Sequence, residues 1–334
     1  MGRQVVLRRP GAIDVADSDV SSPQAGDALV RLRLGGICGS DKAAYRGQSP
    51  LVRYPIVLGH ELLVDVVAAP ARPDLLGKRA VVEPLLNCGR CYACRAGRYN
   101  ACTSLEVMGV HVDGGLCDET LVRLDRLHTV PDELPDDLAV LAEPVSIAYR
   151  AVQRAEIEAG MYAIVFGAGP IGLLITQLLL HARGSRVIVV DQDEWRLGIA
   201  ARLGALTIAS TADIAAEVSK QTSGEMAHRV FEATGNPACT LETADVVSVG
   251  GRIVLVGWNE KAPTFNTITF MQKEAEVYAS RNSVGAFPAV LRLMRDHAID
   301  EKVLLTHRFN LADARTAFEV LDRGDRVLKI VIAP

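Results

Sequence analysis

The run Ala163-Ile164-Val165-Phe166-Gly167-Ala168-Gly169-Pro170-Ile171-Gly172 decides the fold of half of this chain. Four consecutive apolar residues read as a parallel strand buried on both faces, and Ile171 to Leu180 follows with the composition of a packed helix. The glycines between them, spaced G-x-G-x-x-G, make the turn of a dinucleotide site. There a pyrophosphate rests on free backbone N–H groups at the helix N-terminus, and a side chain at Gly169 would block it. The pattern alone is weak, but a second strand, Arg186 to Val190, ends at Asp191, about twenty residues further on, where the fingerprint expects an acid. The candidate cofactor-binding residues are therefore Gly167, Gly169, Pro170, Ile171, Gly172 and Asp191. The Asp191 carboxylate would accept from the adenosine ribose hydroxyls and repel a 2′-phosphate, which predicts NAD rather than NADP. Arg196 is a further candidate on this side, with a solvated helix position as the plainer alternative.

Working outward, apolar strands alternate with helices at Ala163 to Phe166, Arg186 to Val190, Arg229 to Glu232, Arg252 to Val256 and Val277 to Ser280, which predicts a doubly wound sheet. The rhythm before it differs. From Met1 to about Val130, short alternating strands are broken by Gly and Pro, as in an antiparallel, barrel-like domain. After the alternating section the chain is expected to rejoin that first domain and end in a strand, Val327 to Ile332.

Two clusters carry metal chemistry. Cys88, Cys91, Cys94 and Cys102 are spaced C-x2-C-x2-C-x7-C, and four soft ligands so close together can close a tetrahedral zinc shell by themselves. Such a knot is structural, because every position is filled. The alternative, a disulfide framework, suits secreted chains better than one of this length without a signal peptide. The second cluster is Gly36-Ile37-Cys38-Gly39-Ser40-Asp41 with Gly59-His60-Glu61 and, much later, Glu143-Pro144. A thiolate, an imidazole and one or two carboxylates make the mixed, incomplete shell that lets a substrate reach a catalytic metal. Singly, each residue has a bland reading as core cysteine, satisfied histidine or loop acid.

With 334 residues, the chain is about two domains long. Its 36 Lys and Arg against 40 Asp and Glu leave a net charge of −4, which gives no reason to expect a nucleic-acid partner. The apolar run Ile171 to Leu180 is too short to span a bilayer and contains Thr176 and Gln177. No signal-peptide zones open the chain, so a soluble cytoplasmic protein is expected.

Together, GICGSD, GHE, the four-cysteine loop, the Glu-Pro pair, GAGPIG with Asp191, Ser280-Arg281-Asn282 and Leu305-Thr306-His307-Arg308 carry a resemblance over almost the whole chain. The sequence resembles the zinc-dependent medium-chain dehydrogenases, in the polyol branch with sorbitol, threonine and L-galactonate or L-idonate dehydrogenases. The loop Gly109 to Gly115 and the terminal Thr-His-Arg block look most like the sugar-acid members. The resemblance implies an α/β chain with a mainly antiparallel, GroES-like catalytic domain at 1–145 and 283–334, and a Rossmann domain at 146–282, the active site lying between them. It implies two zinc ions per chain, NAD as cofactor, a small polyol or sugar-acid substrate and a homodimer or homotetramer.

Residue by residue, the resemblance puts Cys38, His60 and Glu61 on the catalytic zinc, with Glu143 a direct ligand or one acting through water; the two acids cannot be ranked. Asp41 would accept the other N–H of His60 and fix its tautomer, or serve as a plain turn cap. Ser40 would pass the alcohol proton onward, since a hydroxyl donates and accepts at once. The relay usually ends at a histidine three residues later, but Ala43 stands there, so the proton must leave by another route, through water or through Lys42, for which a solvated surface lysine is the plainer reading. Val64 in place of a glycine, with a short connection from Ala68 to Lys78, is expected to reshape the site wall. Arg281 would meet the substrate or make a structural ion pair. The function implied is hydride transfer between a secondary alcohol and NAD; the alternatives are a threonine-dehydrogenase-like or cyclitol oxidoreductase, and a nucleotide-binding relative without catalysis.

Overall fold

Along Asp27–Ile37 the residues Ala28, Val30, Leu32 and Leu34 are buried while Arg31 is exposed and Arg33 half-buried, the alternation that lets a strand face a core on one side. That strand is the spine of the first of two units in the computed structural model, which describes residues 2–182, 185–258 and 263–334. The first unit comprises residues 1–143 and 284–334, the second 144–283.

Numbered in chain order, the strands of the first unit are β1 (Gly2–Arg9), β2 (Ala12–Ser18), β3 (Asp27–Ile37), β4 (Ile56–Val57), β5 (Glu61–Ala68), β6 (Arg79–Val82), β7 (Leu85–Leu86), β8 (Glu106–Val107), β9 (Glu119–Arg123), β10 (Leu127–Thr129), β17 (Leu305–Asn310) and β18 (Lys329–Ala333). They form a sheet of order β10-β6-β5-β3-β18-β17 with β9 also on β3, a small sheet β2-β1-β4, and the ribbon β7-β8. Most pairings are antiparallel, but β17 and β18 run parallel. Val5, Leu7, Val30, Leu32, Leu58 and Phe318 lie in the core these sheets enclose. Val64 belongs to the same core. At 1% exposure, paired with Leu32 on one side and Ala80 on the other, it fills the sheet interior and does not line a site wall, contrary to the sequence expectation. Burial of such a side chain contributes about 1.5–3 kcal/mol, which a glycine would forgo.

The second unit is a doubly wound sheet of six parallel strands: β11 (Tyr162–Phe166), β12 (Arg186–Asp191), β13 (Leu206–Ala209), β14 (Ala227–Glu232), β15 (Val247–Leu255) and β16 (Glu276–Ala279). Their order is β13-β12-β11-β14-β15-β16, so the chain reverses direction across the sheet between β11 and β14. Ile164, Phe166, Ile188, Val230 and Ile253 are each at most 1% exposed, as continuous apolar runs in a covered parallel sheet must be.

The glycine turn after β11 follows from close packing. A Cβ on Gly172 would lie 1.8 Å from the Gly167 carbonyl oxygen, so only glycine lets the helix Pro170–His181 approach the strand that feeds it. A Cβ on Gly169 would meet nothing nearer than Arg196 Nη1 at 4.0 Å, so that position is open toward its surroundings. Gly172→Ala is therefore expected to lower unfolding stability by about 1–3 kcal/mol or more, as overpacking does, whereas Gly169→Ala should leave it nearly unchanged. Urea denaturation of the two variants checks this; equal midpoints would contradict it.

Candidate active site

Cys38 follows the last residue of β3 and caps the helix Gly39–Tyr45, whose third residue, Asp41, accepts from the Cys38 backbone N–H at 2.8 Å. One oxygen of Asp41 thus fixes the turn that carries Cys38. The other, Oδ1, faces His60 Nδ1 at 3.8 Å; neither atom has a hydrogen-bond partner, and both side chains are buried. Asp41 is accordingly both turn cap and the nearest carboxylate to the far nitrogen of His60. On the opposite side of that ring, Ser40 Oγ lies 3.4 Å from His60 Nε2, and Ser40 itself is exposed.

His60 is held by the turn that leads into β5. The loop Gly109 to Gly115 lies across this turn, with Gly115 N–H donating to Gly59 O at 3.0 Å and Leu116 N–H to Leu58 O at 2.9 Å. A Cβ on Gly114 would lie 2.4 Å from the Gly59 oxygen. The glycines of that loop, which look like those of sugar-acid enzymes, thus answer to packing beneath His60.

Glu61 opens β5 directly opposite Gly36 of β3, and a Cβ at Gly36 would fall 2.1 Å from Glu61 Oε2. The missing side chain makes the space in which the carboxylate lies. Lys329, at the start of β18, fills the other side: its Nζ donates to Glu61 Oε1 at 2.7 Å, to Oε2 at 2.8 Å and to the Ile37 carbonyl at 3.2 Å. Lys329 is 3% exposed and Glu61 1%, and all three ammonium hydrogens are used. The sequence reading missed this lysine. Its signal was a lone charge inside the apolar run Val327-Leu328-Lys329-Ile330-Val331-Ile332.

The donor atoms of Cys38, His60 and Glu61 all lie within 4.8 Å of one another, a spacing at which one ion can touch all three. Glu143, in the first turn of the helix Ala142–Ala155, interacts electrostatically with His60 and Glu61 but is not in that group. Desolvation, reinforced by Glu61 and Asp41 against the opposing pull of His60 and Lys329, pushes its pKa up to about 7. Burial lowers the affinity of His60 for a proton, but Asp41, Cys38 and Glu143 outweigh it and leave the pKa well above its ordinary value. Such a concentration of negative charge around one imidazole is an environment that a dication would neutralise.

The sulphurs of Cys88, Cys91, Cys94 and Cys102 likewise lie within 4.8 Å of one another. Backbone N–H groups of the loop point at them, with Cys91 N to Cys88 Sγ at 3.4 Å and Cys88 N to Cys102 Sγ at 3.3 Å. Backbone donation, led by Cys94 and then Thr103, holds the pKa of Cys91 down to about 5. Four thiols with no disulfide among them and a pKa already lowered suit a tetrahedral zinc shell.

In the second unit, Asp191 ends β12 and accepts from Ala168 N–H in the glycine turn at 2.6 Å and from Asp193 N–H at 2.9 Å. The acid and the glycine turn are therefore tied together. Arg196, on the helix Glu194–Arg202, is half-buried, its Nε lies 3.4 Å from Asp193 Oδ2, and its Nη1 is the nearest atom to a Cβ built on Gly169, at 4.0 Å. Arg281, by contrast, is exposed, in the segment that follows β16. The Gly169–Pro170 helix start, the open position at Gly169 and the acid at Asp191 together fit a dinucleotide.

A barrel-like unit with a Cys/His/Glu cluster, a four-thiol knot and a doubly wound dinucleotide unit define a zinc-type alcohol dehydrogenase. Residues 24–132 match the alcohol dehydrogenase GroES-like domain and residues 170–296 the zinc-binding dehydrogenase domain. The chain is 33% identical to the L-galactonate-5-dehydrogenase of Escherichia coli K12, covering 94% of each chain. It is 28% identical to the sorbitol dehydrogenase of Bacillus subtilis 168, covering 99% of this chain and 97% of that one. Among solved structures it matches the rspB alcohol dehydrogenase of Escherichia coli CFT073, complexed with cofactor NADH, at a TM-score of 0.94 and 30% identity, covering 100% of this chain and 99% of that one. The chain belongs to the zinc-dependent medium-chain dehydrogenases, in their polyol branch, and is an oxidoreductase acting on CH–OH groups.

Removing one partner of a buried ion pair costs about 3–5 kcal/mol, because the other charge is left uncompensated. Lys329→Met in the metal-free protein should show a loss of that size in urea unfolding, and Glu61→Gln added to it should recover most of the loss. A non-additive double-mutant cycle is the expected signature; additive losses would show that the pair is not the source.

Proposed function

We propose that the protein oxidises a secondary alcohol of a polyol or sugar acid with NAD, or runs the reverse reduction, at a zinc held by Cys38, His60 and Glu61. The observation that carries this reading is the three-donor group beside an exposed Ser40, with His60 turned so that Asp41 faces its far nitrogen. A zinc held there would supply Lewis acidity toward the substrate hydroxyl, and a bound NAD would supply the hydride acceptor. Asp41, whose Oδ1 faces Nδ1 at 3.8 Å, favours the tautomer with the proton on Nδ1 and so keeps the Nε2 lone pair free. Ser40 takes the alcohol proton and hands it to solvent, since Ala43 provides no imidazole. Glu143, which titrates close to neutrality, stands as a further acid near the cluster, as a ligand or through water.

Gly167, Gly169, Pro170, Ile171 and Gly172 receive the pyrophosphate and Asp191 the ribose diol, with Arg196 beside the turn. Cys88, Cys91, Cys94 and Cys102 hold a second, structural zinc, giving two per chain. On this reading residues 1–145 with 283–334 are the catalytic domain and 146–282 the NAD domain. The compartment is cytoplasmic, in keeping with seven cysteines without a disulfide and no helix among the described residues long and apolar enough to cross a membrane. The oligomer is a homodimer or homotetramer, supported by β16, which lies at the end of the sheet with Val277 50% exposed.

Cofactor choice tests the second unit. NAD should be preferred over NADP, and Asp191→Ala should narrow or reverse the ratio of kcat/KM values, because the substitution removes both the diol acceptor and the repulsion of a 2′-phosphate. Comparable use of both cofactors by the wild type would reject the assignment of Asp191.

Substrate class is tested by NADH absorbance across polyols, aldonates, cyclitols, threonine and simple alcohols. Polyols or aldonates should be turned over best, and Arg281→Lys should lower kcat/KM by roughly tenfold or more, because a planar guanidinium grips a carboxylate or vicinal diol bidentately and an ammonium does not. Butanol turning over as well as any polyol would sink this reading.

A further inference from the structure

Away from the Cys38 cluster, a second set of buried charges lies beside the cysteine loop. Glu83 is 2% exposed and Arg126 8%. Tyr99 donates its hydroxyl to Glu83 Oε1 at 2.7 Å, His128 Nε2 lies 3.1 Å from Glu83 Oε2, and Arg126 Nη1 lies 3.4 Å from Glu83 Oε1. The Arg126 guanidinium also sits over the Tyr99 ring, 5.3 Å from its centroid. One amide leads from this hub to the thiols. Arg126 Nη2 donates to Asn87 Oδ1 at 2.6 Å, and Asn87 Nδ2 donates to Cys94 Sγ at 3.5 Å.

The orientation of that amide is fixed by chemistry. A guanidinium has donors only, so the Asn87 oxygen must face Arg126 and its NH2 must face the sulphur. The N–H donors to Cys88 and to Cys102 come from the backbone of Cys91, Cys88 and Ser104, within the loop itself. Asn87 brings a side-chain donor instead, and behind it stands a buried cation, Arg126, paired with Glu83 in the connection between β6 and β7. Four thiolates carry more negative charge than one dication cancels, and a sulphur that accepts a hydrogen bond is less prone to take up a proton, the step that precedes ligand loss.

We propose that Asn87 is a positioning residue of the four-cysteine zinc site, oriented by Arg126 and Glu83, and that this relay sets how slowly the loop gives up its metal. The inference rests on the reading that Cys88, Cys91, Cys94 and Cys102 hold zinc. Outer partners of metal ligands typically alter metal affinity about 10–100-fold, and an effect of that size is expected here.

The test uses the full-length, zinc-loaded protein and follows transfer of zinc to a chromogenic chelator, 4-(2-pyridylazo)resorcinol, the knot ion being the one that remains in a Cys38→Ser background. Asn87→Ala and Asn87→Asp, which both remove the N–H donor, should release the knot zinc about 10–100-fold faster. Arg126→Lys, which keeps the charge but loses the fork, should do the same. With cobalt in place of zinc, the thiolate-to-metal charge-transfer band of Asn87→Ala should move to longer wavelength, because a sulphur lone pair without its hydrogen bond lies higher in energy. Release at the wild-type rate overturns the proposal, as does faster release with an unmoved band, which marks general loosening of the loop. If the wild type holds no zinc in the Cys38→Ser background, it is the underlying reading of the knot that fails.

Discussion

A lysine ammonium buried where three strands meet is the constraint on which the rest of the catalytic unit depends. Lys329 reaches across from β18 to both oxygens of Glu61 on β5 and to the carbonyl of Ile37 on β3, joining residues 268 and 292 positions apart in the chain. A one-residue slip of β5 or β18 would turn Glu61 or Lys329 to the opposite face and leave a charge buried without its partner. The register is thereby specified by electrostatics as well as by the apolar core. It also carries the donors: Cys38 is the residue after Ile37, and His60 the residue before Glu61. Gly36 belongs to the same device, because the carboxylate occupies the volume its side chain would have taken.

The second unit meets a different requirement with different means. Its strands are held by continuous apolar burial, and chemistry enters only where the sheet ends. There Gly172 lets a helix begin against the strand, and Asp191 uses backbone N–H groups to tie itself to that turn. Another buried acid in this unit, Glu232 at the end of β14, is spent on structure: it accepts from Thr234 N–H at 2.8 Å and Gly235 N–H at 3.0 Å and so shapes a turn. Burial alone therefore does not mark an acid as functional. The difference between Glu232 and Glu61 is that local backbone satisfies the first, whereas the second is satisfied only by a remote cation next to a thiol and an imidazole.

What could be read from the sequence follows from how local the signals are. The glycine turn, the parallel strands beside it and the four-cysteine loop are each written within about twenty residues, where spacing and period suffice. Residues 206–209 escaped notice as a strand because Leu206, Thr207 and Ala209 are exposed at a sheet edge and show no apolar run. The grouping of Cys38, His60 and Glu61 was legible from motifs, but its support was not. Lys329 shares no spacing with Glu61, and the Glu83, Tyr99 and Arg126 group comes together only through strand pairing and the cysteine loop. Val64 shows the opposite error, in which a plausible local reading gave way to burial that only tertiary packing reveals.

The two sulphur-containing sites of the catalytic unit invite comparison, since both must keep negative donors together without an aqueous shell. At the knot, the compensation is made mostly by backbone N–H groups of the loop, with one side-chain donor, Asn87, backed by Arg126. All four sulphurs lie within 4.8 Å of one another, so the cysteines alone can fill a tetrahedral shell. At the Cys38 cluster one cation, Lys329, compensates Glu61, Asp41 faces the far nitrogen of His60, and Ser40 beside the ring is exposed. On the proposed reading, four thiolates fill every position of the knot ion, whereas three mixed donors leave a position at the Cys38 cluster for substrate; the number of donors the fold brings together is what separates a structural ion from a catalytic one.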